Sequence, residues 1–347
     1  MIPPNLVLAV QEAAAAPVTV DTHAGFDRWL EFVLLVLLLL AFDLFVAHRK
    51  AHVVPMKEAA WWSVFWISLA LLFNGWVWWE YGEEAASQFL AAYVAEKALS
   101  VDNLFIFLTI FSYFKVDPVH RHRVLFYGIL GALVMRAIFI FVGLELLQLF
   151  EPMFFVFGGL LLFTAWKLMR TGESHFEPEK SLFYRLGRKV LPLSPEYDGG
   201  RFFVKRDGRT LGTNLLLVLF IIEGTDVMFA LDSVPAVLGI SQNLFIVYTS
   251  NVFAILGLRA LYFLLQGVLQ SIPGLQAGLS LVLAYVGLKM CLLPKPFEVH
   301  VDSTISLAVI LGLLVGSWLV ASAMRRAERR REGGPPAEGR DPEGPAG

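Results

Sequence analysis

EKALSVDNLFIF (96–107) and EGTDVMFALDSVPAV (223–237) each place carboxylates inside an apolar run long enough to cross a bilayer. The acids are Glu96 and Asp102 in the first stretch and Glu223, Asp226 and Asp232 in the second. An ionised Asp at the bilayer centre costs about 2.5–3.5 kcal/mol on insertion scales, so five acids call for compensating cations. The spacing repeats: Glu96 precedes the Asp102–Asn103 pair by six residues, and Asp226 precedes Asp232–Ser233 by six.

The rest of the chain agrees with that setting. Of 347 residues, 57% are hydrophobic and 17% charged, a polytopic membrane composition. The single cysteine, Cys291, excludes a disulfide framework and a thiolate metal site. All seven histidines fall in loops or at span ends, which argues against a zinc or copper path at membrane depth. Nine apolar runs near twenty residues are predicted as spans, at 29–46, 60–79, 85–113, 124–147, 150–169, 211–237, 244–266, 275–293 and 303–324. The fold class expected is therefore an all-α polytopic membrane protein of about nine transmembrane helices.

Lysine and arginine distribution sets the expected orientation. Basic residues follow spans one and three, fill the loop 170–210 and open the tail with RRAERRR, whereas the other side carries Glu80, Glu83, Glu84 and Glu151. This reading puts the N-terminal tail (1–28) outside, without the basic leader of a signal peptide, and the C-terminal tail (325–347) in the cytoplasm, basic and then disordered in composition. The transmembrane domain spans 29–324, and the loop 170–210 is expected to form a hairpin or a surface helix.

A second repeat runs through the spans. Span four contains ALVMRAIFIF around Arg136 and span seven AILGLRALYF around Arg259; span five ends LFTAWKLM at Lys167 and span eight LAYVGLKM at Lys289. The two units (85–169 and 211–293) thus share an order of acidic span, Arg-Ala span and Lys-terminated span. Three spans is an odd number, so the second unit must run inverted, the architecture of secondary transporters.

Helix geometry limits what the acids can do together. Six residues turn an ideal helix by about 240°. Glu96, Ser100 and Asn103 then share one face, as do Asp226 and Ser233, while Asp102 and Asp232 point elsewhere. For all five carboxylates to meet, spans three and six must unwind near Asp102 and Asp232 or face two sides of a cavity. Pro235 and Gly224 are the weak points in span six. An oxygen set of Glu96, Asp102, Glu223, Asp226 and Asp232, extended by Asn103, Ser233, Asn251 and Asp43, suits Mn²⁺, Mg²⁺ or Ca²⁺ as a transported ion, with no bound prosthetic group. Arg136, Arg259 and Lys97 read as internal counter-ions. Asp43 is expected to pair with Arg49 or Lys50, Lys167 and Lys289 to snorkel, and the tryptophans of span two to form interfacial belts.

These stretches, together with FDLFVAHRKAH (42–52), resemble the TerC family of integral membrane proteins, particularly its Alx-like members. The likeness extends over roughly 40–295. It implies metal-site roles for the five acids, an internal basic role for Arg136, and manganese efflux across a bacterial inner membrane; the family name refers to tellurium resistance. The expected function is proton-coupled export of a hard divalent cation, with a non-transporting component of a tellurite or metal stress-resistance assembly as the alternative. Enzyme signatures such as HExxH are missing from the sequence, and the partners expected are the metal ion and the bilayer, not nucleic acid.

Overall fold

A computed structural model describes residues 24–43, 55–171, 178–194, 198–206, 208–267, 275–295, 297–299 and 301–332. The chain is an all-α polytopic membrane protein. Its helices are α1 (Phe26–Phe42), α2 (Met56–Tyr113), α3 (Pro118–Leu149), α4 (Met153–Thr171), α5 (Leu182–Val190), α6 (Asn214–Ile240), α7 (Leu244–Leu256), α8 (Leu258–Gly267), α9 (Leu275–Leu292) and α10 (Ser303–Glu332). Among the described residues, five segments are long and apolar enough to cross a membrane: Pro118–Leu149, Met153–Arg170, Asn214–Ile240, Leu244–Gln266 and Ser303–Met324.

Spans two and three lie within α2, whose 58 residues would reach about 87 Å if straight, far beyond a hydrocarbon core of about 30 Å. Gly82 resolves the conflict. It adopts φ 87°, a conformation open to glycine, and the helix folds back there. Phe73 and Phe89 consequently touch across the hairpin, with ring centroids 5.5 Å apart. Arg28 at the start of α1 pairs with Glu80 beside the turn and tethers the first span to it.

The two Lys-terminated spans, α4 and α9, pack against each other through glycines. A Cβ on Gly158 would lie 2.8 Å from the Gly287 carbonyl, and one on Gly287 would lie 2.9 Å from the Gly158 carbonyl. Such reciprocity is what a two-fold relation between the units produces. Lys167 is exposed at its span end as expected, but Lys289 is only 7% exposed and donates to Ser306 Oγ of α10 at 3.1 Å. Snorkelling is thereby corrected for Lys289, because α10 covers that end of α9.

Trp61, Trp78 and Trp79 are exposed at the two ends of span two, as belt residues should be, whereas Trp66 is buried in the core. The loop between the units contains both expected elements, the helix α5 and a hairpin of β1 (Phe203–Arg206) and β2 (Arg209–Gly212) in antiparallel register. The last helix continues through the basic run to Glu332. Most of the N-terminal tail, the end of the C-terminal tail, and Arg49 and Lys50 lie outside the described residues.

Candidate functional site

Tyr93, Glu96, Ser100 and Asn103 follow one another on α2 at intervals of three, four and three, which aligns them on one face. All four are buried. Facing them from α3 is Arg136, 1% exposed, whose guanidinium donates to Glu96 and to Ser233 Oγ at 3.2 Å. Its other terminal nitrogen reaches Asp226 Oδ1 at 3.5 Å. One acid from each unit therefore meets on one arginine. The helical period groups Glu96 with Ser100 and Asn103, and Asp226 with Ser233; that Arg136 joins the two sets is a product of packing.

The cluster holds spare acceptors. Glu96 Oε2, Asp226 Oδ2 and Ser100 Oγ are buried without hydrogen-bond partners among the described residues, as are both amide atoms of Asn251. Asn251 is 1% exposed and sits one turn beyond Val247, which packs in a core cluster with Ala91, Ala92, Ala95 and Ile140. Its helix α7 packs against both α2 and α3. An unpaired buried amide is costly, about 1–3 kcal/mol per group, so its retention marks a polar site.

The remaining predicted ligands go elsewhere. Glu223 lies one turn before Asp226 and lays its carboxylate over Gly131 of α3, where any Cβ would collide with it. Asp232 turns toward α4 and accepts from Thr164 Oγ1 at 2.9 Å, with Lys167 the nearby charge. Asp43 ends α1 and pairs with Arg259, which also donates to the Asp43 carbonyl at 3.1 Å. The expected local partners, Arg49 and Lys50, lie outside the described residues. The side chain of Asp102 lies outside the described residues, although its backbone is helical.

Two expectations are corrected here. Helices α2 and α6 run unbroken through Asp102 and Asp232. Among the described residues, Glu96 and Asp226 meet on Arg136 while Asp232 turns to Thr164, and no three His, Cys, Asp or Glu side chains form a metal-binding group. Pro235 is carried inside α6, and Gly224, expected as a weak point, is a notch filled by the Phe183 ring of α5. The break falls instead in span seven at Gly257, between α7 and α8. Lys97 steadies it by donating to the Ala254 carbonyl at 3.1 Å. A Cβ on Gly257 would lie 2.7 Å from the Lys97 ammonium.

The model of the integral membrane protein TerC family matches residues 81–330. This chain belongs to the TerC family. The match takes in both TerC units and the Glu96–Arg136–Asp226 cluster, and begins after Asp43. An uncharacterized membrane protein of Myxococcus xanthus, STKORF319, is 46% identical over 297 residues, covering 86% of this chain and 92% of the relative. Two proteins named "Putative membrane-bound redox modulator Alx" are also similar. That of Salmonella typhi is 42% identical over 84% of this chain and 94% of its own length. That of Escherichia coli (strain K12) is 39% identical over 88% and 97%. No solved structure matches.

Sequence reading missed Tyr93, whose buried hydroxyl has no partner among the described residues. The signal was available. Tyr93 precedes Glu223 by 130 residues, the same offset that relates Glu96 to Asp226.

Proposed function

We propose that this TerC protein is a secondary transporter that exports a hard divalent cation, Mn²⁺ first among them, in exchange for protons across a bacterial inner membrane, with its N-terminus outside. The observation behind this reading is the buried Glu96–Arg136–Asp226 cluster, built from both units and holding unpartnered oxygens. Two ionised carboxylates against one guanidinium leave a formal charge of −1 at membrane depth. An uncompensated buried charge is expensive, so one proton balances the cluster when Arg136 fills it. A divalent cation balances the two carboxylates by itself. Exchange of one metal ion for Arg136 and one proton therefore keeps the site neutral in both conditions.

Glu96, Asp226, Ser100 and Asn251 supply carboxylate, hydroxyl and amide oxygens, the ligand set of hard cations. Glu223 on the Gly131 notch adds a third acid within one helical turn of Asp226, and Asp232 with Thr164 forms a separate polar station toward α4. This assignment makes the protein a transporter rather than an enzyme. Proteoliposomes loaded on one side with Mn²⁺ under an imposed pH gradient test the proposal. Flux should follow the gradient and fall at least about ten-fold in Glu96→Gln and Asp226→Asn. Metal flux indifferent to the gradient would remove the proton-coupled version.

The second reading is a non-transporting membrane component of a stress-resistance assembly, favoured by the Asp43–Arg259 pair, which joins spans without unpaired carboxylates facing a cluster. It predicts that the same variants fail to accumulate folded protein.

A further inference from the structure

Helix α5 has two apolar faces. Phe183 and Gly187 turn inward: the Phe183 ring fills the Gly224 notch, and a Cβ on Gly187 would lie 2.6 Å from Leu217 and 3.0 Å from Phe220. Leu182, Leu186 and Val190, at i, i+4 and i+8, form a second stripe that is 69%, 42% and 63% exposed. Arg185 and Lys189 flank that stripe, and Arg188 lies one turn beyond Tyr184, to whose hydroxyl it donates at 3.0 Å. The helix contains no acid, and among the described residues no carboxylate pairs with its three basic side chains.

Depth identifies what covers the stripe. Leu217, Phe220 and Gly224 lie about 5–15 Å along α6 from its start at Asn214. A helix packed there lies at the boundary between headgroups and acyl chains, where amphipathic interfacial helices bury their apolar face. A cleft of about 540 Å³ bordered by Tyr113, Phe114, Arg188 and Ser194 opens beside it. We infer that α5 is an interfacial helix that docks on anionic phospholipid, its leucines and valine in the acyl region and Arg185, Arg188 and Lys189 on lipid phosphates. Phe183 connects this contact to the acidic stretch, because Gly224 adjoins Glu223 and precedes Asp226 by two residues.

The test does not depend on the transport reading. Hydrogen exchange of 182–190 is compared for the full-length protein in nanodiscs of phosphatidylcholine alone and with phosphatidylglycerol. Three basic side chains, each favouring an anionic surface about five-fold, should slow exchange about ten-fold or more in the anionic discs. The difference should disappear in the triple variant Arg185→Gln, Arg188→Gln, Lys189→Gln and, for the unaltered chain, at high salt. Should the triple variant fail to fold, the salt titration carries the test by itself. Equal exchange in both lipids overturns the proposal, as does reproduction of the effect by inorganic phosphate in phosphatidylcholine discs. Protection that appears only when two copies share a disc assigns the stripe to a second copy and overturns it too.

Discussion

At Arg136 the chain concentrates its electrostatic risk. Removing one partner of a buried ion pair costs about 3–5 kcal/mol, because it strands the other charge. Arg136→Gln should therefore lower thermal stability in detergent substantially, and the added change Glu96→Gln should recover part of the loss, since it removes the stranded charge. Thermal melts of the two variants check this ordering. A related test applies to Gly131, where a methyl group collides with the Glu223 carboxylate. Gly131→Ala should cost about 1–3 kcal/mol, and Glu223→Ala on the same background should relieve it. Equal stabilities for the single and double variants would show that the carboxylate moves aside freely.

At the scale of elements, two glycines set the course of the chain for different reasons. Gly82 needs φ 87° with ψ 179°, a region essentially reserved for glycine, and has no atom within 4 Å of a built Cβ, so Gly82→Ala should cost only backbone strain, about 1–3 kcal/mol. Gly257 has an ordinary φ but no room, with the Lys97 ammonium 2.7 Å and Trp66 Cβ 3.1 Å from a built Cβ. Gly257→Ala should thus destabilise through crowding, and Lys97→Ala should suppress that effect by vacating the space, as denaturation of the single and double variants would show. The expected unwinding at Asp102 and Asp232 did not occur because a broken helix in hydrocarbon exposes backbone groups that need partners. At Gly257 one such partner exists, the Lys97 ammonium on the Ala254 carbonyl.

Across the whole molecule the two units are joined by reciprocal glycines but differ in their arginines. Arg136 takes one acid from each unit, whereas Arg259 takes Asp43 from outside both. Exchanging the charges of the second pair, Asp43→Arg with Arg259→Asp, should restore folded yield lost in either single variant if the pair only ties α1 to α8; yield by size-exclusion chromatography reads the outcome. Gly158→Ala would press a methyl group on the Gly287 carbonyl and the Cys291 side chain and should lower the melting temperature by several degrees. The all-α polytopic class and the shared face of Glu96, Ser100 and Asn103 were legible in the sequence, because membrane thickness fixes span length and the helical period fixes which residues share a face. Which arginine meets which acid, the fold-back at Gly82, the break at Gly257 and the seat of Phe183 on Gly224 were decided only by the tertiary structure. A helix period says where a side chain points along its own span; what stands opposite depends on how distant spans pack, and that is settled by contacts between residues 40 to 216 positions apart.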